Sequence, residues 1–381
     1  MNKIKNLLTI MLFALVAFSC SDILDKGPLD KYSENDVWKS TDLTQAFIYT
    51  ALANATDMMV WKDNWTDNEA ILEDGRDVNA ELIDRYYDAG WDRYEDIRRC
   101  NMVLARVPEA PFTETEKANF IAQAKTVRAM IYFTRARLFG KLMLVKELIE
   151  PEAEMTFPRT ATVKETYDFI LNDLKEAAPD LPVDAPSGAL SRGVAYALLG
   201  EVALHGAAYI ENGQEEYYSI AAKACEDLFA LGKYSLDADY AGIFNDYDHS
   251  LASNEIILAR WRSSENTNFS DTWMQRLVPN IDPSKLTADV QAKYPLAEEM
   301  AGWPQRFPSV DLVNDYLVVD EDGEAKEWDQ TSYYQNFLAN GGTVEDAIYK
   351  NRDKRFKASI VYDGCSYFAN TVWLREGGNL Y

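Results

Sequence analysis

Two stretches of this chain set aromatic rings beside fork-shaped polar side chains. The first is Trp61-x₃-Trp65-x-Asp67-Asn68, followed by Asp74-Gly75-Arg76-Asp77; the second is a loop-rich region carrying Trp273, Tyr294 and Trp303. Such a combination suits a flat, polyhydroxylated ligand. A sugar offers an apolar C–H face to a ring, and its hydroxyls to the paired donors and acceptors of Asp, Asn and Arg. A packing reading competes, because Trp61 and Trp65 are four residues apart and on a helix would bury one face together. A few stacked rings at about 0.5–1.5 kcal/mol each give a shallow site, with binding expected between roughly high micromolar and millimolar.

A second chemistry is covalent. Lys3 and Lys5 precede an apolar run from Leu7 to Phe18, which stops at Ala17-Phe18-Ser19-Cys20. A positive start, a short apolar stretch and small residues at the cut are the parts of a secretory signal. The run is too short to span a bilayer as a helix. A cysteine directly after the small residue at the cut is the acceptor that a bacterial lipoprotein signal requires. Residues 1–19 are therefore expected to be removed and Cys20 to become a lipidated N-terminus. Acyl chains then hold the exported protein at a membrane, each buried methylene contributing about 0.8 kcal/mol. An ordinary secreted protein whose signal ends near a cysteine is the competing reading.

Other chemistries are disfavoured. The two histidines are His205 and His249, so a Ser-His-Asp or Cys-His enzyme would have to use one of them. His205 follows Val202-Ala203-Leu204 in a helical pattern and is expected to be packed; His249 reads as part of a polar loop. Cys100, Cys225 and Cys365 are too widely spaced for a disulfide framework or a short-spaced zinc site. Cys100 and Cys225 fall in helical patterns as small core residues. In Asp320-Glu321-Asp322-Gly323-Glu324 the glycine is fourth, where a calcium loop needs it sixth. A solvated turn is expected there, and no metal or cofactor. The net charge of −24 opposes nucleic acid and anionic lipid surfaces and leaves neutral ligands unhindered. A two-carboxylate glycoside hydrolase needs no histidine, but 62 acidic residues make carboxylate pairs inevitable and uninformative.

The elements that must position these groups are mostly helices. Thr113-x-x-Glu116 and Thr162-x-x-Glu165 read as capping boxes. After the first, Phe120, Ile121, Ala124, Val127, Ile131, Leu138 and Phe139 keep a helical period until Gly140. After the second, Val163, Tyr167, Ile170, Leu171, Leu174 and Ala178 share one face, and Pro179 ends it. Trp91, Tyr94, Ile97 and Asn101 form a stripe within 88–107, and Trp38, Trp91 and Tyr94 read as core. The pair 191–210 and 215–231 carries Ala195, Leu199, Gly200, Ala203 and Ala207 facing Ala221, Ala222, Cys225 and Leu228. Small residues at that spacing mark a tetratricopeptide-like helix pair. Beyond residue 232 the period is lost. Short strands are expected at 254–259 and 356–362, and long loops over 262–310.

Read in order, the landmarks resemble the SusD/RagB family of outer-membrane nutrient-binding lipoproteins. They are Cys20-Ser21-Asp22, Leu24-Asp25, Tyr32 to Trp38, Trp91-x₂-Tyr94-x₂-Ile97-x₃-Asn101, Arg128-Ala129-x₂-Tyr132-Phe133 and Phe139-Gly140. Tyr167-x₂-Ile170-x₂-Asp173-Leu174-x₂-Ala177, Leu181-Pro182, Ser191-Arg192-Gly193-x-Ala195 and Gly232-x-Tyr234-x-Leu236 with Tyr240 and Phe244 follow. Asn254-Glu255-Ile256-Ile257, Asp322-Gly323 and Arg352-Asp353-x-Arg355 complete the series. The resemblance implies a mainly α fold of tetratricopeptide-like stacked helix pairs with an irregular, loop-rich ligand-facing part. On that reading residues 20–235 form the helical-repeat region and 236–381 the loop-rich region. It also implies a lipid-anchored, non-enzymatic protein on the outer face of the outer membrane, lying over a TonB-dependent (SusC-like) transporter. Its cargo would be glycans, or in some members peptides. The resemblance favours both aromatic segments as ligand-facing. A helical scaffold that binds only protein is the alternative, and it would have no use for the tryptophan-rich loops. Family members run on for a further hundred residues or more beyond the point matched by Gly377 to Tyr381, so a truncated chain with exposed apolar surface is expected.

Overall fold

The computed structural model describes residues 34–58, 66–71, 94–150, 156–262 and 273–381. The chain divides into two compact units, residues 1–59 with 92–231, and residues 60–91 with 232–381. Residues 66–71 thus group with the C-terminal half rather than with the helices that flank them in sequence.

The first unit is helical. After a single turn at Glu34–Val37 come α1 (Thr41–Met58), α2 (Tyr94–Arg106), α3 (Glu114–Phe139), α4 (Val163–Ala177), α5 (Arg192–Ala207) and α6 (Gln214–Ala230). Neighbours in the chain pack as pairs, α3 on α4 and α5 on α6, with α1 and α2 also against α3. Among the described residues no helix is long and apolar enough to cross a membrane.

Helix α3 is the axle of the unit. Thr113 and Glu116 close a complete capping box at its start, and Gly140 ends it at φ +65°, a conformation glycine adopts freely. Its burial goes beyond one apolar face: Arg128 and Arg135 are buried with Val127, Ile131, Tyr132 and Phe133. Arg128 makes the central polar knot. Its Nε and Nη2 donate to the two oxygens of Asp173 on α4 at 2.8 and 2.7 Å. Its Nη1 donates to Asn101 Oδ1 on α2 at 2.7 Å and to the Lys146 carbonyl at 2.8 Å. Asn101 Nδ2 in turn donates to the carbonyls of Val145 and Glu147. Burial by itself would lower the Arg128 pKa, but the bonds and charge of Asp173 outweigh it and raise it. One fork thereby joins three helices and the irregular segment after α3.

The second capping motif closes differently. The Thr162 hydroxyl accepts from the Glu165 N–H, but the Glu165 carboxylate reaches past the cap to the Ala161 N–H. Between α5 and α6 the small-residue reading holds: a Cβ on Gly200 would sit 3.5 Å from Cys225 Sγ and 3.7 Å from the Ala221 carbonyl. At Gly206 there is no room at all, since a Cβ would lie 2.7 Å from the buried Tyr167 ring and 2.8 Å from that of Tyr217. Ala195, Ala203, Ala207, Ala221 and Ala224 are buried, whereas Ala222 and Cys225 are exposed. Cys225 faces Gly200 at the rim of the pair, so the core expectation is corrected for it and kept for Cys100. Burial pushes the Cys100 thiol up to about 12, which leaves it inert. Trp38 is buried, Tyr94 is half-buried, and Trp91 lies outside the described residues. His205 stands half-buried, with its Nδ1 2.9 Å from the Tyr167 hydroxyl and its ring stacked on Tyr209.

The second unit has little regular structure. Its strands form two-stranded antiparallel ribbons: β1 (Glu69–Ile71) with β4 (Arg306–Pro308), β2 (Asn280–Ile281) with β3 (Met300–Ala301), β5 (Val318–Val319) with β6 (Ala325–Lys326), and β7 (Ser366–Tyr367) with β8 (Asn370–Thr371). Short helices lie between them: α7 (Tyr240–Asn245), α8 (Tyr247–Ala252), α9 (Ala288–Lys293), α10 (Val310–Asp315), α11 (Ser332–Asn340) and α12 (Lys354–Ser359). The strand expected at 254–259 is a turn followed by irregular chain. The strand expected at 356–362 is mostly helix α12, because Asp353 caps it by accepting from the Arg355 N–H. His249 lies in α8, capped by Asp246, and not in a loop.

The acidic stretch at 320–324 is a turn, with Gly323 at φ +84°, but the solvated reading is corrected for Asp320, which is buried. The Lys326 ammonium lies 2.6 Å from both Asp320 and Asp322, and Asp320 also accepts from the Ser332 N–H at the start of α11. Lys326 first, then Ser332, holds the Asp320 carboxyl far below the usual carboxylate range. A core of Leu296, Met300, Cys365 and Val372, joined by Val278, Ile281 and Tyr367, fastens the irregular segments together.

Candidate functional site

One ribbon pairs residues 69–71, next to Asp67-Asn68, with residues 306–308, just past Trp303. In β1 and β4 Glu69 faces Pro308, Ala70 faces Phe307 and Ile71 faces Arg306. Side chains alternate between faces along a strand, so this ribbon has two different sides. On one, Arg306 donates to Glu69 at 2.5 Å, and both side chains are only 12–13 % exposed. On the other, Ala70 and Phe307 face solvent. Just beyond, the Ser309 N–H donates to the Asn68 carbonyl at 2.9 Å and its hydroxyl donates to the Asp67 carbonyl. The backbone of Asp67 and Asn68 is thus fixed while both side chains stay exposed.

On the other side of β4 the chain is laced to the segment 275–279. Gly302 N–H donates to the Pro279 carbonyl at 2.9 Å, Trp303 N–H to Gln275 at 2.6 Å and Gln305 N–H to Arg276 at 2.9 Å. Gly302 permits this approach, because a Cβ there would lie 1.8 Å from the Val278 carbonyl oxygen. Trp303 therefore has a pinned backbone and a ring that is 65 % exposed. Gln275 and Arg276 belong to the helical turn Trp273–Arg276. This places the backbone of Trp273 beside Trp303.

Tyr294 stands apart from that ribbon. It follows α9, half-buried, with its ring 5.2 Å from that of Trp373 at 43° and the Lys293 ammonium 4.9 Å from its centre. The Arg375 guanidinium covers Trp373 at 4.7 Å and pairs with Asp363. Burial tends to raise the Asp363 carboxyl, but Arg375 and the N–H groups of Arg375 and Leu374 prevail and hold it below its usual range. Trp61, Trp65, Asp74, Arg76 and Cys20 lie outside the described residues.

Chemically, the ribbon offers a solvent-facing indole and a pair of exposed fork-shaped side chains on a braced backbone. Glu69, the carboxylate in the ladder, is committed to Arg306. The residues that sequence reasoning passed over are Phe307, Phe368, Trp373 and the Glu69–Arg306 pair. Strands of two or three residues are too short to show an alternating period.

Comparison with known proteins gives a consistent result. One family model, described as starch-binding associating with outer membrane, matches residues 21–204. A second, the SusD family, matches residues 254–379. The chain is similar to SusD-like protein P38 of Formosa agariphila, 25% identical over 91% of this chain and 72% of that protein. Among solved structures it is similar to a SusD-like protein from Bacteroides fragilis, with TM-score 0.66, 24% identity, and 91% of this chain and 66% of that one covered. Another is a SusD-like carbohydrate binding protein from the same species, with TM-score 0.65, 18% identity, and 88% and 62% covered. The chain thus spans somewhat less than two thirds of the length of these solved structures.

Proposed function

Because the chain belongs to the SusD/RagB family, we propose that it is a cell-surface lipoprotein that captures glycans and passes them to a TonB-dependent transporter without cutting them. The observation that carries this reading is Trp303, an exposed ring on a braced ribbon that also fixes the Asp67-Asn68 turn. A solvent-facing indole costs an isolated protein exposed apolar surface and gains stacking energy against a ligand. Trp303, Trp273, Tyr294, Asp67 and Asn68, together with Trp61, Trp65, Asp74 and Arg76, form the ligand-facing set. Cys20 carries the lipid at the outer face of the outer membrane. The net charge of −24 favours neutral chains over acidic ones at long range.

Support also comes from a solved structure of similar fold that is described as carbohydrate binding. The test is electrophoresis through native gels cast with soluble starch, xylan or galactomannan, paired with a reducing-end assay on the same mixtures. Retention in at least one gel is expected, with no reducing ends released over a day. Release of reducing ends would make the protein a hydrolase and overturn the reading.

A further inference from the structure

The hairpin β7–β8 closes through two residues, Phe368 and Ala369, since Tyr367 pairs directly with Asn370. Two-residue hairpins that match strand twist need positive φ at the first of these residues, and glycine is the residue favoured when only the first is positive. This chain places Phe368 there at φ +51°, a region where a bulky side chain is a genuine outlier. Core packing does not explain it. The ring is 59 % exposed and meets Tyr367 edge-on at 4.8 Å. Strain of this kind persists where the surroundings fix it, and it gathers at ligand-contacting positions.

The hairpin is anchored to the segment that braces Trp303. The Tyr367 hydroxyl donates to the Leu277 carbonyl at 3.4 Å, and Tyr367 and Val278 pack on the same core of Leu296, Met300, Cys365 and Val372. Leu277 and Val278 belong to the segment whose Gln275 and Pro279 carbonyls hold Trp303 and Gly302. The strained ring and the exposed indole therefore hang from one stretch of five residues.

We infer that Phe368 is a second stacking platform, so that the Trp303 site takes an oligosaccharide of several units rather than a single sugar ring. This rests on the glycan reading above.

The test uses the full chain, with Phe368→Gly and Phe368→Asn as variants. The ligands are a hexasaccharide and the monosaccharide from whichever of the three polysaccharides retains the native chain. Both replacements accept φ +51° with less strain than phenylalanine, so the thermal midpoint is expected to hold or rise. Hexasaccharide binding is expected to weaken about two- to tenfold, the value of one lost ring contact, with the monosaccharide unaffected. Unchanged hexasaccharide affinity would overturn the inference. So would a midpoint that falls together with affinity, which would make the ring structural, or an equal loss on both ligands, which would put the two rings on one sugar. A native chain that binds no glycan would overturn the glycan reading itself, and this inference with it.

Discussion

Replacing Arg128 by alanine is expected to destabilise the helical unit by about 3–5 kcal/mol, the usual consequence of stranding a buried charge. Asp173 is buried and receives two of its hydrogen bonds from that guanidinium. Asn101 and the Lys146 carbonyl lose a donor in the same step. Three groups lose their buried donor, on α2, α4 and the segment after α3. Urea unfolding followed by helical circular dichroism measures the effect. Pairing Arg128→Met with Asp173→Leu should recover much of the loss, because a hydrophobic replacement of a buried ion pair is often neutral. A single alanine variant within about 1 kcal/mol of the native chain would show that the knot is not what joins these helices.

The second large effect is expected from one methyl group. A Cβ on Gly302 would lie 1.8 Å from the Val278 carbonyl oxygen and 2.5 Å from its carbon. These are backbone atoms, which cannot swing aside as a side chain does. The segments 275–279 and 302–305 must separate, and the hydrogen bonds of Gly302, Trp303 and Gln305 are lost together. Gly302→Ala should therefore cost at least the roughly 1–3 kcal/mol of ordinary overpacking, confined to the second unit. Amide exchange at Gly302, Trp303 and Gln305 should accelerate strongly and glycan retention should fail, while α1 to α6 keep their protection. Unchanged exchange at Trp303 would mean that the ribbon is not braced as described.

The helices were readable because their signals are local. Thr113 and Glu116 announce the start of α3, Gly140 announces its end, and small residues at helical spacing announce the α5–α6 contact. Asn101, Arg128 and Asp173 also stood out in the family resemblance, but nothing in their spacing shows that they form one network. They meet because three helices pack, and tertiary packing is not written in any single period. The second unit was harder for the same reason. Ile256-Ile257-Leu258 looks like a strand but finds no partner edge, and strand propensity without a partner does not make a sheet. The Asp353 cap of α12 was a local signal that the apolar residues after it obscured. At the site, Asp67 and Trp303 stand out by their chemistry, yet the ladder that brings their segments together pairs Glu69 with Pro308 across most of the chain. Phe368 was hidden by the absence of the glycine that normally marks such a turn.

The most direct measurement is calorimetric titration of the native chain and of Trp303→Ala with the retained hexasaccharide. The ring is largely in solvent, so its removal should leave the unfolding midpoint in place. The dissociation constant is expected to rise about two- to tenfold, in line with roughly 0.5–1.5 kcal/mol for one stacked ring. An identical dissociation constant in a folded variant would contradict the assignment of Trp303 as the platform on which the glycan rests.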